Sequence, residues 1–198
     1  MKTRVLIAGI LLLPVLLITC KGNPFYPSNK TGRYLIGDIG PGGGRIFYDK
    51  EDNSDGWRYL EVAPGNAFPG NAFGGYISWA TFYDNISTAD PIGTGKNNTV
   101  LIINVSPVDN ASTNAAKACA AYRGPNNKKD WFLPSKDELA ALYNERERPG
   151  IGITSGSFWS SSQSAIDYAF FHDFSSGNVS YLRKDDPNTQ YVRAIRSF

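Results

Sequence analysis

One histidine, His172, stands in YAFFHDF, with serines at 155, 157, 160, 161, 162 and 164 before it and Asp167 and Asp173 close by. Those residue types could build an acyl-transfer site, in which imidazole takes the serine proton and a carboxylate orients the ring. The spacing argues otherwise. No G-x-S-x-G elbow occurs, and GITSG at 152–156 has the wrong spacing for one. His172 alternates with Tyr168, Phe170 and Phe174, the pattern of a packed or edge-strand side chain. A chain with one histidine cannot form a multi-histidine zinc site. A glycosidase pair of carboxylates is not legible at all, because sequence does not show their separation. A hydrolase is therefore the least favoured reading, and neither a metal nor a cofactor is expected.

The stretch GDIGPGGGRIFYDK, residues 37–50, raises the phosphate-binding alternative, with five glycines and a proline between Gly37 and Gly44. A phosphate loop needs a strand before its glycines and a helix after them, so that amides and helix dipole meet the anion. Here a strand follows, and the Gly-Lys-Ser/Thr ending is absent. The glycines read as a backbone device for turning sharply into a strand. EDNSDG, residues 51–56, resembles half of a calcium loop, but the twelfth position counted from Glu51 is Val62 where a bidentate Glu is needed. It reads as a hairpin turn.

Localisation comes from the first residues. Lys2 and Arg4 precede an apolar run from Val5 to Ile18, too short for the roughly 20 residues of a membrane span. A charged start and a short apolar run predict an export signal over 1–19. The run ends in LITC, which resembles a bacterial lipobox, with Thr19 where Gly, Ala or Ser is usual. Cys20 is then the acylated first residue of a protein anchored to the outer membrane or cell surface. Of 20 basic residues the leader holds Lys2 and Arg4, which leaves 18 against 18 acidic ones. A mature chain without net charge offers no case for nucleic-acid binding. The remaining Cys119 stands among alanines in NAAKACAAYR and reads as a buried thiol.

Residues 20–32 form a tether, with two prolines and no periodicity. One domain is expected over 33–198. GRIFYDK and WRYLEV flank EDNSDG as the strands of a hairpin. The repeated PGNAF near 64–75 predicts a loop. GTGKNNTVLIINV predicts a first helix that its β-branched residues weaken, and NASTNAAKACAAYRG a better one. Ser135 and Glu138 have capping-box spacing, ahead of Leu139, Leu142 and Tyr143 on one helical face. FWSSS, YAFFHDF, VSYLRK and YVRAIRSF then read as strands, and the order predicts an α+β domain.

GDIGPGGGRIFYD, SDGWRYLEVAP, IGTGKNNT, DWFLPSKDELAALY, FWSSS and YVRAIRSF, in that order, span most of residues 37–198. The series resembles the bacterial domain family named after the C-terminal domain of a collagen-like adhesin, the Lcl C-terminal-like family. The resemblance implies a C-type lectin-like fold: two main helices on short antiparallel strands, with the first and last strands adjacent and YVRAIRSF central. It also implies a surface-attached module that binds a glycan or protein without catalysis; a purely structural envelope lipoprotein is the alternative. The DPN at 186–188 follows FWSSS and no W-N-D occurs, so calcium-dependent sugar binding is not expected. The single internal cysteine does not suit formylglycine chemistry.

Aromatic faces cover the C–H side of a sugar ring, and short polar groups reach its hydroxyls. The candidate contacts are therefore Trp79 and Tyr83, with Ser160, Ser161, Ser162 and Gln163. Arg183 and Lys184 would serve a sulfated ligand. Trp159 reads as core.

Mass spectrometry should find the mature protein starting at acylated Cys20 and partitioning into detergent. Cys20→Ser should release it, and an unmodified Cys20 would refute the anchor.

Overall fold

Each short apolar run in the sequence becomes a separate element in the computed structural model, which describes residues 32–68, 75–106, 108–187 and 190–198. In chain order these are β1 (Arg45–Asp49), β2 (Tyr59–Val62), α1 (Gly95–Asn104), α2 (Ala115–Ala121), α3 (Lys136–Asn144), β3 (Ser157–Ala165), β4 (Tyr168–Asp173), β5 (Val179–Arg183) and β6 (Ile195–Ser197). Three helices and two antiparallel three-stranded sheets, β1-β2-β6 and β3-β4-β5, make an α+β fold. The described residues hold the three helices that the residue patterns predict, one more than the two main helices that the resemblance implies. Cys20, the leader and the tether up to residue 31 lie outside the described residues.

Local chemistry explains the helices. At α3 the Ser135 hydroxyl accepts from the Glu138 amide at 3.2 Å, and the Glu138 carboxylate accepts from the Ser135 amide at 2.7 Å. Leu139 and Leu142 then enter the core. At α2 the Asn114 side chain accepts from the Lys117 amide at 3.0 Å. α1 forms against its own propensity because tertiary contacts hold it. Ile102 is buried, Asn98 brackets the backbone of Ala89, and the Thr99 hydroxyl accepts from the Leu133 amide at 3.0 Å.

The first and last strands share a sheet but are not neighbours. β1 and β6 both pair with β2, and β6 is a three-residue edge strand rather than a central one. The reason is that YVRAIRSF serves two partners in succession. Tyr191 bonds to β3, donating to Ser157 at 2.8 Å and accepting from Trp159 at 3.0 Å. Ile195 then exchanges bonds with Phe132 at 2.9 and 3.0 Å, while residues 195–197 pair with β2. One segment joins both sheets.

Extended segments feed two core clusters with alternate side chains, the period of a pleated backbone. Trp131, Leu133, Trp159, Val192 and Ala194 enter the cluster around α1 and α2. Phe132, Phe158 and Ile195 enter the cluster between α3 and the first sheet.

All four residues of β2 are buried, so Glu61 is a carboxylate on a strand with no solvent face. The glycine-rich loop supplies its partners. The Gly42 amide donates to both carboxylate oxygens at 2.8 and 3.1 Å, and the Gly44 amide donates at 3.0 Å. Arg196 adds a charged bond at 2.8 Å and turns its Nε to Asp130 at 2.6 Å. A Cβ on Gly40 would stand 2.5 Å from Glu61 Oε2, and one on Gly42 2.7 Å from Oε1. The loop does cradle an anion, and the anion is the protein's own.

Because the pair is buried, removing one partner should strand the other. Glu61→Gln is expected to cost about 3 kcal/mol or more, and Gly42→Ala about 1–3 kcal/mol by overlap, both read from urea midpoints. An unchanged midpoint for Glu61→Gln would refute the role assigned to the carboxylate.

Candidate binding surface

The candidate contacts separate into a buried group and an exposed group. Trp79 is fully buried, and its indole N–H donates to the Ser160 carbonyl at 2.7 Å. Trp159 answers from the other side, donating to the Ile77 carbonyl at 2.7 Å. Two reciprocal indole bonds thus fasten the 77–80 segment to β3. Trp79 is a core residue and presents no face to a sugar.

The serines are buried for the same structural reason. Ser160 donates to the Phe170 carbonyl at 3.0 Å, and Ser161 accepts from Asn98 at 3.1 Å. Ser162 donates to the Ala89 carbonyl and accepts from the Lys136 amide, both at 3.0 Å. Each hydroxyl is spent holding a neighbouring segment on β3, so Ser160, Ser161 and Ser162 are corrected from contacts to internal fasteners.

Lys184 is buried as well. Its ammonium donates to the Asp84 carbonyl at 2.9 Å and to Gln163 Oε1 at 2.8 Å, and lies 4.9 Å from the centre of the Trp79 ring. Burial brings its pKa down to about 8. Gln163 is half-buried and bridges Lys184, the Ile86 amide and Asn85. Neither side chain is free to meet a sulfate.

Tyr83 and Arg183 remain on the surface. Arg183 donates to the Tyr83 hydroxyl and to Asp185 at 3.2 Å, with its guanidinium 5.2 Å from the Tyr83 ring centre. They continue into residues that the sequence analysis does not select. Tyr168 stands opposite Arg183 in the β4–β5 register, and Phe170 opposite Tyr181. Pleating places Tyr168 and Phe170 on one face with Val179, Tyr181 and Arg183. Tyr181 is 56% exposed and Val179 45%. The rings meet edge to face, Tyr168–Tyr181 at 5.6 Å and Phe170–Tyr181 at 6.5 Å between centres. Lys136, paired with Asp90, lies 4.8 Å from the centre of Phe170. The signal for this face was the two-residue alternation on either side of the SSGN turn.

His172 shares the face but is covered by α3. It is 4% exposed, stacks on Tyr143 at 4.6 Å and meets Phe174 edge-on at 5.2 Å. Neither ring nitrogen makes a full hydrogen bond; the backbone of Gly177 stands near. It contacts no serine hydroxyl as a base would. In the turn at 51–56, Lys50 is paired with Asp52 and Asp55. Among the described residues no group of three or more His, Cys, Asp or Glu is placed to hold a metal.

No protein-family model matches this chain, and no curated protein is similar to it in sequence.

Burial holds the His172 pKa below its ordinary value. The unfolded chain then binds the proton first, so stability is full above about pH 6.5 and falls as pH drops toward the folded pKa. Burial also raises the Glu138 pKa to about 7, which acts with the opposite sign over the same range. Unfolding followed by circular dichroism should therefore show the His172 contribution as the difference between parent and His172→Phe, the parent losing more stability as pH falls below about 6.5. Parallel profiles would show that another group carries it.

Proposed function

We propose that this protein is a non-catalytic binding module of the bacterial cell envelope, held by lipid on Cys20, which takes a glycan on the β4–β5 face. The observation that carries this reading is the row of Tyr168, Phe170 and Tyr181, edged by Arg183 and Lys136. The exposed Tyr181 ring, with half-buried Tyr168 and Phe170 beside it, offers the apolar surface that a pyranose covers, and the flanking cations favour an acidic or sulfated sugar over a neutral one. Arg183 is already shared by Asp185 and Tyr83, so an anionic ligand would compete with that carboxylate and binding would weaken with salt.

The C-type lectin-like reading and the resemblance to the Lcl C-terminal-like family draw support from the closure of the domain. Tyr34 packs on Phe198 at 5.4 Å and on Tyr59 at 5.5 Å, so the two ends of the described chain meet at the first sheet. The aromatic face belongs to the second sheet. A tether leaving from Tyr34 would leave that face open.

A glycan array probed with the full chain tests the reading. Tyr181→Ala and Arg183→Ala should each weaken binding about five- to tenfold, roughly 1–1.4 kcal/mol. Both are surface changes, so stability should stay within about 0.5 kcal/mol of the parent. Unchanged binding by both variants, or no glycan bound at all, would overturn it.

A further inference from the structure

A second concavity lies in a different part of the fold, where the end of the first sheet meets the starts of α1 and α3. It encloses about 430 Å³, within the range of small-molecule sites. Trp57 and Phe198 line it, with Asp55, Lys96, Asp130 and Ser197 around them. A neighbouring hollow of about 310 Å³ shares Gly56, Trp57 and Phe198 and adds Tyr34 and Tyr59. Trp57 and Phe198 thus line both spaces. Of the four tryptophans in the chain, only Trp57 is not buried; Trp79, Trp131 and Trp159 all are.

The charges around the cavity decide what could fill it. Beneath its floor the buried Glu138 carboxylate accepts from the Gly93 amide at 2.9 Å and the Ser135 amide at 2.7 Å. The positive starts of α1 and α3 thus already have an internal carboxyl as their partner, one whose pKa burial raises to about 7. Arg196 is occupied by Glu61 and Asp130. Asp55 is already paired with Lys50 and burial raises the Glu138 pKa to about 7, so the charges left to face a ligand are Lys96 and the open side of Asp130, one of each sign. Lys96 makes no ion pair among the described residues, and Asp130 uses one oxygen on Arg196 while its side chain stays 41% exposed. The groups left over are a free donor, a free acceptor, a hydroxyl and the rings of Trp57 and Phe198, which Lys50 and Arg196 approach at 4.7 and 5.6 Å from the ring centres. A ring bearing several hydroxyls, each of which can donate and accept, satisfies all of them without burying net charge.

We propose that this cleft, lined by Trp57 and Phe198, is a binding site for a small neutral polyhydroxylated ring compound, a mono- or disaccharide. The site is separate from the β4–β5 face and does not depend on the reading given to that face. Its ligand class is also different: small and neutral, where the sheet face favours acidic chains.

The test is a titration of full-length chain in detergent micelles, reading the Trp57 indole N–H resonance. The probes are glucose, galactose, mannose, N-acetylglucosamine, cellobiose and lactose, with glucuronate and glucosamine as charged controls. At least one neutral sugar should shift the resonance and saturate with a Kd on the order of 1–10 mM. Lys96→Ala should weaken that binding about fivefold, a conventional loss for one hydrogen bond. Tyr181→Ala should leave it unchanged, whatever its effect on the glycan array. The proposal is refuted if no neutral sugar moves Trp57 up to ~100 mM. It is refuted equally if only the charged controls do, or if Tyr181→Ala removes the shift.

Discussion

The first sheet exists in its present form because the Glu61 carboxylate can be buried there. An ionised carboxylate taken out of water is tolerated only when its lone pairs are filled and its charge is answered. Two loop amides and the Arg196 guanidinium meet both conditions. The consequences spread outward. Gly40 and Gly42 must lack side chains to let the backbone come close. Arg196 must sit opposite Glu61, which sets the register of β6 on β2. Its second bond, to Asp130, places the segment whose next residues, Trp131, Phe132 and Leu133, supply both core clusters. The same arrangement forms one wall of the cleft at Trp57 and Phe198.

The second sheet is organised by a different exchange. A small α+β domain has little interior to share, and here two clusters share the same extended segments through alternate residues. That economy requires polar atoms deep in the structure, because a backbone segment without a strand partner leaves carbonyls unpaired. The Trp159 indole takes the Ile77 carbonyl, and Ser162 and Asn98 take that of Ala89; the Trp79 indole and Ser160 take the Ser160 and Phe170 carbonyls where the β3–β4 register is irregular. The serine-rich strand is therefore a fastening surface for segments that have no sheet of their own.

This explains what the sequence disclosed and what it hid. Signals that act over three or four residues were legible: the Ser135–Glu138 box, the hairpin around residues 51–56, and the SSGN turn between β4 and β5. Those that depend on a distant partner were not. Glu61 in WRYLEV carries no local mark of burial, and only its bonds to Gly42, Gly44 and Arg196 reveal it. Ser160 to Ser162 look like sugar ligands because a hydroxyl on a strand carries no mark of which way it is covered. Trp79 looks like a stacking platform for the same reason. Tyr168 and Tyr181 were visible as residues, but their meeting across 13 positions follows from the β4–β5 register.

The adjacent basic pair Arg183 and Lys184 shows how strongly the pleat governs such a site. Successive side chains leave a strand on opposite sides, and the ladder continues past β5, since the Lys184 amide donates to the Asp167 carbonyl at 2.9 Å. Arg183 therefore points to the aromatic face and Lys184 to the interior. Inside, desolvation works against the ammonium and its pKa falls to about 8. A folded pKa below the unfolded value means the buried charge opposes folding at neutral pH, and that opposition fades as pH rises from about 8 toward 10.4. The Asp84 carbonyl, Gln163 and the Trp79 ring offset that cost, and in doing so they tie residues 79–86 to β3 and β5. The tied segment includes Tyr83, whose hydroxyl holds Arg183 in place. The inward cation thus positions the partner of the outward one. A pair that reads in sequence as two surface charges is one structural charge supporting one surface charge.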